Sequence, residues 1–353
     1  MVRLNPLIKI ESLFENRCTV KLLLDNVSYS VNTKLIVSIL RYVEENGEDI
    51  RLNLFKLWLI SYYKTEELEA KSLIKDLLNK KIFVENIQNY PINQIEHWIK
   101  RNWLNALIYH LESRNIEYLD DGSRYGEDRK IYSFDYTKKG NIWKEYGNLE
   151  VCNLPEPDIS RFDSISLEDT LLRRSSFDPF IKCPIKLEDL SDILYMSNKD
   201  LVSNRIKLEK SLQNLYDSSF TAFETYIFVF SVHGLDRGLY HYNPKSHSLS
   251  LIKKGNLRKD VIDICIGQVQ MSSGGCLFLI TANAKRYMMR YKHERAYRNM
   301  LVNVAEFAQQ YIFFSTALRY STNLTPALND MFAHKILGLN NFDEIPLYTI
   351  GIG

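Results

Sequence analysis

The sequence predicts an α+β protein in two parts: a small helical N-terminal module, then a larger domain of helices interleaved with mostly antiparallel strands. Three observations carry this. Helix-period segments dominate the first 90 residues, while the longest apolar stretches, "TYIFVFSV" and "GCLFLITA", have strand length and fall in the C-terminal part. Between them, from about Glu112 to Phe162, the chain turns polar and rich in turn residues ("DDGSRYGEDRK", "DYTKKGN", "LPEPD"). A chain of 353 residues is long enough for both parts.

Taken in order, "CTVKLLLD" reads as a strand. Asn32 or Thr33 can cap the first helix, whose Leu35, Ile36, Ile39, Leu40 and Val43 follow helical spacing. Leu52, Phe55, Trp58 and Leu59 form the apolar face of a second. Thr65 can cap a third, with Glu66, Glu67 and Glu69 placed to favour the helix dipole. The closing "KKIFVE" suits a β-wing, so residues 1–90 are expected to form a winged-helix-like module. Its middle helix, "LNLFKLWLISYYK", carries few bases to neutralise phosphates, which points to peptide or partner docking rather than nucleic acid.

Residues 91–162 read as a helical and irregular linker, with "RKIYSFDY" as a candidate strand. Residues 163–353 form the second domain. "SLED" at Ser166–Asp169 is a capping box opening a helix into Arg173 and Arg174. "IKLEDLSDILYMS" follows as an amphipathic helix. Then come strands "FETYIFVFS", "GLYHY" and "SLSLI", a helix near "KDVIDICIGQ" and the strand "GCLFLITA". One long helical region is expected over about Lys285–Ala317, then a short helix near "PALNDMFAHKILG" and the terminal strand "PLYTIGI".

Composition narrows the function. With 45 basic against 43 acidic residues there is no general pull toward nucleic acid or anionic membrane, so any phosphate affinity is local. Cys18, Cys152, Cys183, Cys265 and Cys276 are scattered without a CxxC pair, as expected of reduced thiols in a soluble cytoplasmic protein, and suggest no metal site. No run of eighteen apolar residues predicts a membrane span. There is no GxGxxG after a strand, no P-loop, no GxSxG and no HExxH. His97 and His110 sit in an aromatic-rich segment that favours a structural role.

Four segments remain. "RRSS" at Arg173–Ser176 offers two guanidinium forks and two hydroxyls where a helix ends, a set that suits a phosphate or simply the helix dipole. "DSSFTAFETY" is a small-polar loop feeding an apolar strand, able to present backbone N–H groups to a flat ligand. "RYKHERAYR" packs five positively ionisable side chains and two tyrosines into nine residues. The fourth is the tail "EIPLYTIGIG".

In that order, together with "GLDRGLYHYNPKSHSLSLIKKG" and "ERAYRNMLVNVAEFAQQYIFFSTAL", these segments resemble the SagB-type azoline dehydrogenases of the FMN-dependent nitroreductase-like superfamily, over about residues 167–353. The resemblance implies a nitroreductase-like fold binding FMN at a homodimer interface, behind a winged-helix-like peptide-binding domain joined by "WIKRNWLNALIYH". It implies oxidation of thiazoline or oxazoline rings in a ribosomal precursor peptide to thiazoles or oxazoles, with a cyclodehydratase as partner. Arg173, Arg174 and Ser175 match the family's Arg-Arg-Ser for FMN, and Ser218, Ser219 and Phe220 its flavin-lining loop. Gln309 and Arg290 complete the implied cofactor contacts, and Lys292 and Tyr291 the catalytic pair. Glu224 and Tyr226 align with the start of the strand behind the loop. Phe177 replaces the family's second arginine, Asp217 its loop proline, and Tyr291–Lys292 reverses its Lys–Tyr order. Two other readings stay open: a degenerate paralogue serving as a peptide-binding scaffold, and an FMN oxidoreductase with another substrate.

Overall fold

Along Arg17–Leu22 side chains alternate between buried and more open positions, the period-two mark of a strand with one wet face. The computed structural model, which describes residues 1–14, 16–25, 27–85, 87–114, 142–176, 178–180, 184–210, 220–291, 293–340 and 342–353, places this strand in the middle of a meander. The chain divides into two compact units, residues 1–117 and 118–353.

In the first unit β1 (Arg3–Leu4) precedes the antiparallel meander β2 (Ile8–Phe14), β3 (Arg17–Leu22) and β4 (Val27–Asn32). Asn32 then caps α1 (Thr33–Asn46), its side chain accepting from the Lys34 amide at 2.9 Å. After α2 (Leu52–Tyr63), the N-cap of α3 (Glu67–Asn79) is Glu66, with no side-chain cap bond, so Thr65 is not the cap. Glu67 and Glu69 still occupy its first turn, where the dipole favours them. Tyr42, Phe55 and Trp58 interlock at the centre of this unit, ring centroids 4.9–5.8 Å apart. The segment expected as a wing contributes only β5 (Phe83–Val84), which pairs with β1 rather than forming its own hairpin. Two further helices, α4 (Ile92–Lys100) and α5 (Leu104–Ser113), bury Ile95, Leu107 and Leu111 against Leu7 and Leu23. "RKIYSFDY" lies outside the described residues.

The second unit is built on a seven-stranded antiparallel sheet. Its elements are β6 (Val151–Asn153), α6 (Leu167–Arg173), α7 (Leu187–Lys210), β7 (Phe223–Val229), β8 (Gly238–Asn243) and β9 (Ser248–Lys254). They continue with α8 (Arg258–Ile264), β10 (Cys276–Asn283), α9 (Ala284–Arg290), α10 (Ala296–Ala317), β11 (Thr322–Thr325), α11 (Asp330–Leu337) and β12 (Glu344–Ile352). The strand order is β11-β12-β10-β7-β8-β9-β6. One face packs Phe223, Ile227 and Phe278 against α7 and α10; the other packs Tyr226, Phe228 and Leu279 against α8 and α11. With both faces covered, β7 is buried throughout, which explains its unbroken apolar run. Each such Phe or Ile contributes about 1.5–3 kcal/mol by leaving water.

The helical region near Lys285–Ala317 is not one helix. It breaks at Tyr291, which is extended (φ −116°, ψ 117°), and resumes at Ala296. Ala284 and Tyr287 are buried by α9, and Met300, Val304 and Phe307 by α10. A helical period marks each buried stripe but carries no sign of a change of axis between them. Tyr291 therefore lies between two helices rather than within one.

Among the described residues Cys18, Cys152, Cys265 and Cys276 are free thiols, no His/Cys/Asp/Glu cluster could hold a metal, and no helix is long and apolar enough to cross a membrane.

Candidate functional site

The capping box forms as the sequence predicts: the Asp169 amide donates to Ser166 Oγ at 3.3 Å and starts α6. One turn on, Arg173 folds back onto the Asp169 carboxylate, and Arg319 Nη2 stands 3.5 Å from the same group. The Arg173 hydrogen bond holds the Asp169 carboxyl below its ordinary range. Arg174 has left the helix (φ −62°, ψ 118°) and its Nη1 donates to Ser176 Oγ at 2.7 Å. Arg173, Arg174, Ser175 and Ser176 are all half-buried, so two cations and two hydroxyls cluster where a helix ends.

Beyond them lies a cavity of about 730 Å³ lined by Ser176, Asp178, Phe180, Gln268, Gln270 and Asn323. The C-terminal strand packs tightly against Phe180, one of its lining residues. A Cβ on Gly274 would stand 2.3 Å from the Ile352 carbonyl, and one on Gly353 would stand 2.9 Å from Gly274 Cα and 3.2 Å from Phe180 Cβ. Glycine at these positions lets the last residues pass this close, which gives the "GIG" ending a physical reason.

This cluster sits beside the C-terminal end of α10. Phe162 meets Phe314 at 5.2 Å, and Tyr320 donates to Asp189 at 2.6 Å. Gln309 is half-buried on the same half of α10. The other half of the predicted site lies past the opposite end. The half-buried Tyr291 packs its ring on Tyr287, centroids 5.0 Å apart, just before α10 begins. Arg290 is the last residue of α9. Phe220 is a core side chain, 8% exposed and packed on Phe223 and Phe307 with centroids 6.2 and 5.5 Å away. Lys292, Ser218, Ser219, Asp217 and Phe177 lie outside the described residues. The 22 residues of α10 span about 33 Å, so within one chain the structure does not bring Arg173–Ser175 and Tyr291 together.

A buried ionic cluster was not singled out by sequence reasoning. Glu224 projects from β7 between Arg205 of α7, 3.0 Å away, and Arg286 of α9. His241 Nε2 is 3.1 Å from its second oxygen. Burial alone would raise the Glu224 carboxyl, but Arg205, Arg286 and His241 hold it well below the usual carboxylate range. Burial also pulls the Arg205 guanidinium down to about 10, which still leaves it charged at neutral pH. Alongside, Lys144 Nζ lies 2.7 Å from Glu344, whose other oxygen accepts from the Tyr226 and Thr281 hydroxyls at 2.8 and 2.6 Å. Burial, with Glu344 adding, pushes the Tyr226 phenol well up, so Tyr226 stays a neutral donor. The signal was present: a carboxylate in "FETYIFV" and a histidine in "GLYHY" are polar residues in segments otherwise fit for a core, and such residues demand partners.

No family model matches the chain. It is 31% identical over 271 residues to the trifolitoxin operon protein TfxC of Rhizobium leguminosarum bv. trifolii, covering 73% of this chain and 74% of that protein. A nitroreductase-like protein of Methanocaldococcus jannaschii is 27% identical over 197 residues, 56% of this chain and 93% of its own length. The solved structure of a nitroreductase-like protein from Anabaena variabilis superposes with TM-score 0.50 at 21% identity, over 68% of this chain and 49% of that one, so the chain spans about half of that solved relative. The shared fold is the antiparallel sheet between two helical layers. At that identity and coverage, the chain belongs to the family of the trifolitoxin operon protein TfxC, and its second unit has a nitroreductase-like fold.

Proposed function

We propose that the protein is an FMN-dependent dehydrogenase that oxidises thiazoline or oxazoline rings of a ribosomally made precursor peptide to thiazoles or oxazoles. It acts in the cytoplasm as a homodimer beside a cyclodehydratase. The observation that carries this reading is the division of the site between the two ends of α10. Half of the helix is open: Tyr297, Leu301 and Val302 are exposed, as are Leu171 and Leu172 of α6. A two-fold axis perpendicular to α10 covers that face and swaps its ends. The Arg173–Ser175 half of one protomer then meets the Tyr291–Lys292 half of its partner.

The cofactor is supported by fit. Arg173 and Arg174 offer guanidinium forks for a phosphate, with Ser175 beside them. The adjoining cavity, about 730 Å³, lies within the roughly 300–1,000 Å³ of cofactor sites. Ser218, Ser219 and Phe220 belong to the loop that would flank the flavin, with Gln309 and Arg290 as further contacts. Bound FMN supplies a hydride acceptor. The chain's own part is to remove the ring's α-proton, with Lys292 as the base and Tyr291 as its relay, as a hydride leaves the neighbouring ring carbon. Residues 1–90, with Leu54, Leu57 and Tyr62 exposed on α2, are the winged-helix-like peptide or partner domain, 91–162 the linker and 163–353 the flavin domain. The reversed Tyr291–Lys292 order favours a second reading, a scaffold subunit that has lost catalysis.

Complementation tests the reading. Arg174→Ala and Lys292→Ala chains, each inactive alone on an azoline peptide, are mixed after unfolding. Random pairing restores about a quarter of the sites, because each mixed dimer holds one intact site. A yellow protein whose mixtures stay inactive would overturn the shared site, and a colourless protein that takes up no added FMN would leave only the scaffold.

A further inference from the structure

We propose that Arg205, Glu224 and Arg286 form a positioning clamp that locks the loop before β7 to helix α9, so that the two segments move as one body. The proposal rests on the reading above only in holding that this loop and the Tyr291–Lys292 segment serve one site.

The bonds converge on very few atoms. Arg286 Nη1 donates to the Thr221 carbonyl at 3.0 Å and to the Ile142 carbonyl at 3.1 Å, while its Nη2 pairs with Glu224 Oε1. Arg205 Nε donates to the same Thr221 carbonyl at 3.1 Å, and its Nη2 to the Phe223 carbonyl at 2.6 Å and Glu224 Oε1 at 3.0 Å. One backbone oxygen and one carboxylate oxygen thus each accept from two guanidiniums carried by different helices. A backbone link lies beside them: the Asn283 amide donates to the Ala222 carbonyl at 2.8 Å, and the Asn283 side chain caps α9 by accepting from the Arg286 amide at 2.9 Å. Residues 221–224 and 283–286 are therefore pinned at matching points.

Stability alone does not account for this device. A buried ion pair is a poor stabiliser, since apolar residues of similar volume often do as well or better. Among the described residues, each guanidinium also keeps one nitrogen without a hydrogen-bond partner, Nη1 of Arg205 and Nε of Arg286. What planar forks provide that apolar side chains cannot is direction. Each fork fixes the loop's carbonyls and the carboxylate of β7 at set angles to its own helix. The Thr221 carbonyl lies one residue after Phe220, and Arg286 lies five before Tyr291. The clamp thus holds residues next to both halves of this end of the site without itself facing a ligand, and supporting residues of this kind keep a site's geometry within narrow limits.

The test compares two variants of the full-length protein. Arg286→Met cuts the tie to α9 but leaves Glu224 its contacts with Arg205 and His241. His247→Ala, in the turn between β8 and β9, serves as a destabilised control. Hydrogen exchange is followed in peptides covering 220–223 and 284–291, and FMN affinity by fluorescence titration. The clamp predicts that Arg286→Met raises exchange in both peptides together and weakens FMN about tenfold. The control is expected to change neither. Arg286→Lys keeps the charge but not the fork, so stability recovers while the paired rise in exchange remains; it also serves if the Met variant fails to fold. A rise confined to 284–291, or spread evenly over the sheet, would overturn the clamp. Wild-type protein that binds no FMN would defeat the functional reading, while the exchange pattern still decides the clamp.

Discussion

At one end of α10 the arginines Arg173 and Arg174 stand half-open to solvent, Arg173 held by a neighbouring carboxylate on its own helix, whereas near the other end Arg205 is sealed at 0% side-chain exposure among charges drawn from three elements. The same residue type serves two purposes. The half-open pair keeps donors available for an anion and depends little on the fold around it. The sealed pair has no access to an anion and shares Glu224 as its paired carboxylate. A lost open arginine is thus a lost ligand contact, and a lost sealed partner is a structural fault.

The largest expected effect follows from breaking the sealed side. Glu224→Met leaves Arg205 and Arg286 facing one another without the carboxylate they share, a change that costs about 3–5 kcal/mol in buried pairs. Against a typical total of about 5–15 kcal/mol, this depopulates the folded state. Urea unfolding of the second unit is expected to shift far to low denaturant, and a midpoint close to wild type would show that the cluster carries little. The pH dependence has a definite sign. The Glu224 carboxyl lies well below its unfolded value of about 4.3, so its stabilisation is present above that value and lost as pH falls toward the folded pKa.

The intermediate effect belongs to the open side. Arg174→Ala removes a guanidinium that donates to Ser176 Oγ. A charge-assisted hydrogen bond contributes about 1.5–3 kcal/mol, so FMN affinity is expected to fall about tenfold to a hundredfold. The urea midpoint is expected to stay where it was. A fluorescence titration and an unfolding curve on the same preparation check both halves. An Arg174→Ala protein that loses stability but not affinity would reverse the contrast between the two ends.

The same contrast explains what was legible in the sequence. The α6 capping box, the arginines after it and the strands β7 to β10 are local patterns, readable from spacing within a few residues. The Glu224 cluster joins residues 205, 224, 241 and 286, and no local period records such a meeting. The turn of the chain at Tyr291 escaped because each helix keeps its own period. β11, only Thr322–Thr325, is strand because β12 lies beside it, its register running from Thr322 opposite Ile352 to Thr325 opposite Thr349. Thr65 shows the limit in the other direction: a residue able to cap a helix was present, but the N-cap position falls on Glu66.

The smallest effect tests a third arrangement, a neutral histidine between the extremes of open and sealed. His247 Nε2 lies 2.7 Å from Ser191 Oγ, which itself donates to the Pro155 carbonyl at 2.6 Å. The hydroxyl proton being spent on Pro155, the ring must donate from Nε2, and Nδ1 is left to accept from the Tyr242 hydroxyl at 2.8 Å. A second ring proton would meet that hydroxyl head-on. Burial lowers the His247 pKa, outweighing the Pro155 carbonyl, Glu156 and Asp192, which pull the other way. The folded chain thus resists a proton that the unfolded chain accepts below about pH 6.5. Stability contributed by the neutral ring is complete above that pH and declines as pH falls from there toward the folded pKa. Urea midpoints at pH 7, 6 and 5 are expected to fall in wild type and to fall less steeply in His247→Gln. Equal slopes in the two proteins would mean that His247 titrates as it does in the unfolded chain, and that the hydrogen-bond order from Tyr242 to Pro155 is not fixed.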